Sequence, residues 1–208
     1  MDLNPHDLVR IQGIEDLFLG RPFPDWVQAA LLLAPYAVVR RAEITAEGIP
    51  GGVRGAERGQ RCAAWIPVDK ILEVITPDSL VYPDNWKAHH SAVVPATIQT
   101  LREITPIMQA TGYKWGPTGS TGFELATGIP SIKNTSDLDL VINLPVKITI
   151  EQANMLLLRL EKTALVRLDV QLNTPAGGVA LKEYILGKKV LVKTSTAPIL
   201  QEVNSLWS

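Results

Sequence analysis

Two aspartates stand two residues apart at the start of an apolar run, Ser136-Asp137-Leu138-Asp139-Leu140-Val141-Ile142. If that run is a strand, its side chains alternate between faces. Asp137 and Asp139 then share one face, roughly 7 Å apart at about 3.4 Å of rise per residue. Leu138, Leu140 and Ile142 face the other way, into a core. Two carboxylates crowded on an apolar strand repel each other and lose hydration, which is costly unless a cation or a proton offsets it. A hard divalent ion with oxygen ligands is the simplest explanation. A third carboxylate, Asp169, sits in Val166-Arg167-Leu168-Asp169-Val170-Gln171-Leu172, where apolar and polar residues again alternate. A strand–helix–strand crossover normally makes its two strands parallel neighbours, giving Asp169 a route to the sheet end that holds Asp137 and Asp139. Three such carboxylates suit two-metal phosphoryl transfer, with divalent ions roughly 3.5–4 Å apart serving the attacking and leaving oxygens.

Upstream lies Gly116-Pro117-Thr118-Gly119-Ser120-Thr121-Gly122. Its glycines allow close backbone approach, and the amides opening the short helical piece that follows can hold phosphate oxygens. Gly119, Ser120 and Thr121 are therefore substrate-binding candidates. No Gly-Lys-Ser/Thr follows at Walker A spacing. Lys114 and Lys133 flank this turn, Trp115 is near enough to stack on an adenine, and Glu124 reads as a helix-start acid with metal ligation as its alternative.

A second basic feature lies between Glu47 and Arg61, where Arg54, Arg58 and Arg61 sit among five glycines. A loop so built can fold onto an anion, either a triphosphate or an acidic partner, and Arg40 and Arg41 precede it. The competing reading is a strand edge protected by charge. The pair His89-His90 has no companion Cys or His at zinc-type spacing and reads as solvated loop. Cys62, beside Ala63 and Ala64, reads as a small buried apolar residue.

The elements that must position these groups follow from periodicity. Residues 1–22 hold an amphipathic piece from Asp7 to Leu19, and Pro24-Asp25 opens a helix that Pro35 stops. Tyr36 to Ile44 and Cys62 to Ile66 read as strands. From Ala96 the apolar residues recur at helical steps, with Pro106 breaking or kinking the run near its middle. Tyr113–Trp115 is a strand. A helix from Ile150 to Lys162 buries Met155, Leu156 and Leu158 to Leu160. Gly177-Gly178 opens a last helix to Leu186, Lys189 to Lys193 closes the sheet, and the tail from Thr194 is loose apart from a dock through Trp207. The whole is α+β. A small N-terminal α+β domain spans 1–82, a linker 83–95, and a catalytic domain with a mixed sheet flanked by helices 96–208.

The chain is 46% hydrophobic and 20% charged, ordinary for a globular protein with a real core. A formal charge of -1 shows no basic excess of the kind nucleic-acid binding favours. The N-terminus lacks a signal-peptide h-region and no apolar run is long enough to span a bilayer. A single cysteine fits a reducing compartment. The expected setting is the cytoplasm, with neither nucleic acid nor membrane as partner.

Gly119-Ser120, then Asp137-Leu138-Asp139, then a strand Asp169, resembles the nucleotidyltransferase superfamily signature, with a longer gap between Gly-Ser and the aspartates than in many members. The wider wording is similar to one family within it. Trp115-Gly116-Pro117-Thr118-Gly119-Ser120, Gly122-Phe123-Glu124-Leu125-Ala126-Thr127-Gly128, Ser136-Asp137-Leu138-Asp139-Leu140, Asp169-Val170-Gln171 and Arg54-Gly55-Ala56-Glu57-Arg58-Gly59-Gln60-Arg61 resemble the malonate decarboxylase holo-acyl-carrier-protein synthases. These are phosphoribosyl-dephospho-CoA transferases. The resemblance implies that a serine of the acyl-carrier subunit attacks the α-phosphorus of triphosphoribosyl-dephospho-CoA and releases diphosphate. It implies Mg²⁺ or Mn²⁺ on Asp137 and Asp139, Asp169 completing the site or helping to deprotonate the serine, and diphosphate on Gly119-Ser120. Two other readings stay open from the residues: another nucleotidyltransferase acting on a protein, RNA or small molecule, and a silent nucleotide-binding scaffold.

Overall fold

The computed structural model describes residues 3–57, 59–82, 86 and 94–208. Arg58, the pair His89-His90 and most of the expected linker lie outside the described residues. The chain forms two compact units, Met1–Thr76 and Pro77–Ser208. The division falls ahead of residue 82, because Pro77–Val81 packs with the second unit. The reason is visible at Gly116, where an added Cβ would overlap the Pro77 carbonyl and lie 2.8 Å from Asp78 N. We expect Gly116→Ala to destabilise the protein by about 2–3 kcal/mol, since backbone on both sides leaves nothing flexible to yield. Chemical denaturation checks this, with a midpoint unchanged from wild type as the contrary result.

The first unit is a five-stranded antiparallel sheet in the order β4-β3-β2-β1-β5. Its strands are β1 (Leu8–Arg10), β2 (Tyr36–Val39), β3 (Ile49–Arg54), β4 (Arg61–Ile66) and β5 (Glu73–Ile75). Helix α1 (Asp25–Leu33) adds Val27 and Leu31 to a core with Val9, Ile11, Val39, Val53, Cys62 and Ile66. Cys62 is buried, as its apolar neighbours suggest. The amphipathic Asp7–Leu19 piece divides into β1, which pairs with both β2 and β5, and a single 3-10 turn at Ile14–Asp16. The β2 strand ends at Val39, well short of Ile44. Half of the expected glycine loop is strand β3, in which Gly51 and Gly52 pair with Ala64 and Ala63. A Cβ added at Gly51 would meet the end of the Ile66 side chain, which would have to turn aside.

The second unit holds a six-stranded mixed sheet, order β11-β10-β9-β8-β7-β6. Its strands are β6 (Lys114–Pro117), β7 (Leu138–Asn143), β8 (Leu168–Thr174), β9 (Gly177–Ala180), β10 (Lys189–Lys193) and β11 (Pro198–Glu202). The helices are α2 (Ala96–Gln109), α3 (Gly119–Thr127), α4 (Ile150–Thr163) and α5 (Leu181–Leu186). Helix α2 runs through Pro106 as one element: the proline lacks only the amide that would reach the Arg102 carbonyl, and its own carbonyl accepts from Ala110 N at 3.2 Å. Helix α4 starts at a capping box: Thr149 Oγ1 accepts from Gln152 N, and Gln152 Oε1 accepts from Thr149 N. Its buried residues are Ala153, Leu156, Leu157 and Leu160, whereas Met155 and Leu158 are exposed.

Leu138, Leu140 and Ile142 of β7 join Leu168, Val170 and Leu172 of β8 in one core, which also takes Leu101, Ile104 and Met108 of α2. Trp115 belongs to this core at 3% exposure, so it does not present a ring for adenine stacking. Two strands differ from the sequence reading. Gly177–Ala180 is β9, folded back on β8 as a hairpin, so α5 begins only at Leu181. The tail is β11, paired along its length with β10. Trp207 does dock: its Nε1 donates to the Leu144 carbonyl at 2.8 Å, and its ring meets Tyr184 edge-on. Tyr184 is fully buried and donates to the Ile148 carbonyl, and burial raises its phenol pKa above the ordinary value.

Candidate active site

Strands β7 and β8 are parallel neighbours joined through α4, and their register sets Asp139 directly beside Asp169. Leu138 pairs with Leu168 in the same ladder, and Leu138 N donates to the Arg167 carbonyl, so Asp137 lies opposite Arg167. The core takes the even-numbered residues of both strands. Alternation therefore turns Asp137, Asp139 and Asp169 to the opposite face. Asp169 and Arg167 are exposed, while Asp137 and Asp139 are partly covered.

The cover over Asp139 comes from the turn that opens α3. Thr118 N donates to the Asp139 carbonyl at 2.9 Å, tying the helix start to β7. Gly119 follows with φ of +59°, a left-handed conformation that an L side chain rarely adopts. An added Cβ there would overlap Asp139 Oδ2 and lie 2.8 Å from its Cγ. The glycine is thus fitted to the carboxylate itself. The first helical hydrogen bond runs from Gly122 N to the Thr118 carbonyl, which leaves the amides of Gly119, Ser120 and Thr121 at the helix's positive end. Gly119 is exposed and Ser120 half-buried. Thr121 is buried at 1% exposure, and its Oγ1 has no hydrogen-bond partner.

Beyond the aspartates the same face carries a row of amides. Asn173 Nδ2 donates to Asn143 Oδ1 at 2.9 Å, Gln171 Nε2 donates to Asn173 Oδ1, and Lys193 Nζ donates to Gln171 Oε1. This row crosslinks β7, β8 and β10 and holds the Asp139–Asp169 register.

The remaining sequence candidates separate. Arg54 and Arg61 are direct cross-strand partners at the end of the β3–β4 hairpin, in the first unit. Their side chains flank the tip, which closes through Gly55 N to the Gln60 carbonyl and Glu57 N to Gln60 Oε1. Arg58 in that tip lies outside the described residues. Lys114 pairs with Asn143, at the far end of β7 from Asp139, so it does not flank the phosphate turn. Glu124 does not open α3: it lies within the helix, buried at 8% exposure, and its Oε2 accepts from the amides of Ser131 and Ile132. No spacing rule points to that contact, because both donors lie in the irregular segment after the helix.

The donor set fits a hard cation. Mg²⁺ is commonly held by one or two carboxylates and completed by substrate phosphates, so a full protein cage is not required. Among the described residues no three His, Cys, Asp or Glu side chains gather into a group that could hold a metal ion. The backbone thus sets three carboxylates on one face without closing them on a common point. No helix among the described residues is long and apolar enough to cross a membrane.

Comparison with known proteins places the chain in a family. Residues 85–204 match the model of the phosphoribosyl-dephospho-CoA transferase MdcG C-terminal domain, and residues 4–77 that of its N-terminal domain. A phosphoribosyl-dephospho-CoA transferase of Pseudomonas aeruginosa is 39% identical over 95% of this chain and 91% of its own length. One from Pseudomonas putida is 37% identical over 98% and 95%, and one from Klebsiella pneumoniae 35% over 92% and 90%. No solved structure matches the chain. With both family models matched across nearly the whole length, the chain belongs to the phosphoribosyl-dephospho-CoA transferase family, a family of transferases.

Proposed function

We propose that the protein transfers 2'-(5''-phosphoribosyl)-3'-dephospho-CoA from its triphosphate precursor to a serine of the malonate decarboxylase acyl-carrier subunit. The observation that carries this reading is the Asp139–Asp169 rung with the α3 turn fitted against it, in a chain of this transferase family. The serine hydroxyl oxygen forms the new bond to the α-phosphorus, the bond from that phosphorus to the bridging oxygen breaks, and diphosphate leaves. Asp169, the most exposed of the three carboxylates, takes the serine proton. Asp137 and Asp139 would hold Mg²⁺ or Mn²⁺, and the ion would supply charge neutralisation for the phosphoryl group and the departing diphosphate. The amides of Gly119, Ser120 and Thr121 bind the diphosphate oxygens at the helix start. Arg54 and Arg61, paired at the end of the β3–β4 hairpin in the first unit, offer positive charge to an acidic carrier. The reaction belongs in the cytoplasm, where the carrier subunit would be made.

Labelled triphosphoribosyl-dephospho-CoA, Mg²⁺ and apo-carrier test it. The expected result is one label per carrier, on a serine, with stoichiometric diphosphate. Labelling of a carrier that lacks that serine, or AMP transfer from ATP in place of the CoA derivative, overturns it.

A further inference from the structure

The segment between α3 and β7 is irregular, yet it delivers Asp137 and Asp139 to the site. Helix α3 ends at Gly128, which is left-handed at φ of +74° and turns the chain back along the helix. Glu124 Oε2 then accepts from both Ser131 N and Ile132 N at 2.7 Å. Ser131 Oγ also donates to the Ile129 carbonyl at 3.1 Å, and reaches the Ser120 carbonyl in the first turn of α3 at 3.5 Å. The next residue, Lys133, starts a closed turn: Ser136 N donates to the Lys133 carbonyl and Lys133 N to Ser136 Oγ, both at 2.9 Å. Asp137 follows at once. From the Glu124 carboxylate to the site aspartates the chain is therefore held twice, at Ser131-Ile132 and then by the turn that joins Lys133 to Ser136.

We infer that Glu124 is a positioning residue for transfer, a buried acceptor that sets where Asp137 and Asp139 stand relative to the α3 amides. Carboxylate oxygens accepting main-chain amides make short, strong hydrogen bonds, and burial shields them from competing water. Both amides use one oxygen, so the clamp depends on an acceptor of the right length. Displacing reacting groups by about 1 Å costs on the order of 10²-fold in rate, so a loosened clamp acts on turnover. The Glu124 inference rests on the transferase reading of the aspartate site.

Three variants and two readouts test it. Glu124→Ala is expected to lower kcat about 10²-fold while KM for the triphosphate precursor stays within about threefold. Glu124→Gln keeps an oxygen at the same reach and should restore kcat to within about threefold of wild type. Glu124→Asp keeps the charge but withdraws the oxygen, and should fall between the two. Hydrogen exchange at Ser131 and Ile132 should quicken about tenfold or more in the alanine and aspartate variants, with Val141 in β7 unchanged. Alanine turnover within about twofold of wild type, or a glutamine variant as poor as alanine, overturns the proposal. If the alanine variant does not fold, wild-type turnover by the aspartate variant with deprotected Ser131 and Ile132 overturns it equally. If wild-type enzyme moves no label at all, the transferase reading fails, and the exchange pattern alone decides the clamp.

Discussion

Asp139→Ala is expected to reduce label transfer to the carrier by at least ~10³-fold, about 4 kcal/mol of transition-state stabilisation. Asp139 is the centre of the arrangement: it adjoins Asp169 across the parallel ladder, its carbonyl anchors Thr118, and Gly119 closes against its carboxylate. The fold should survive. The Asp139 side chain lies on the polar face, and its removal relieves a like-charge neighbour in the ladder. In metal-free buffer the variant should be as stable as wild type or more so by up to about 1 kcal/mol. Steady-state labelling and thermal melts measured together check both halves. Asp137→Ala should follow in direction. A D139A enzyme that labels the carrier at more than about a tenth of the wild-type rate removes Asp139 from the chemistry.

Gly119→Ala should act almost as strongly by a different route. The backbone strain of φ at +59° costs about 1 kcal/mol for a residue with a Cβ. The overlap with Asp139 is relieved by rotating the carboxylate away, which is cheap for the fold and damaging to the site. We expect transfer to fall about 10²-fold or more, with a loss of stability near 1 kcal/mol. The split between the two effects is the informative part. A variant that melts early but turns over normally would mean that the contact with Asp139 is structural alone.

These two residues show how much the sequence discloses. The alternation in β7 and β8 is local, since a strand's period of two needs no knowledge of the rest of the chain. The same holds for α4, whose Thr149-to-Gln152 capping box marks its start. Strand β1 escaped because it is three residues long and both its partners lie far along the chain, whereas β9 and β11 each fold back on the strand just before them and carry no alternation strong enough to mark them. Helix α4 misled in detail: Met155 and Leu158 are apolar but fall on its outer side, and the choice of buried stripe belongs to the packing partner.

From the sequence alone came the two aspartates sharing a strand face, the third carboxylate after a crossover helix, the turn ahead of them and the family that combines them. Those depend on residue type and near-neighbour spacing. The tertiary structure decided the register that makes Asp139 and Asp169 adjacent, the fit of Gly119 to a carboxylate, and the hold of Glu124 on the segment that leads into β7. Each of these joins residues whose closeness is set by how the strands and helices pack, and no local periodicity encodes that distance.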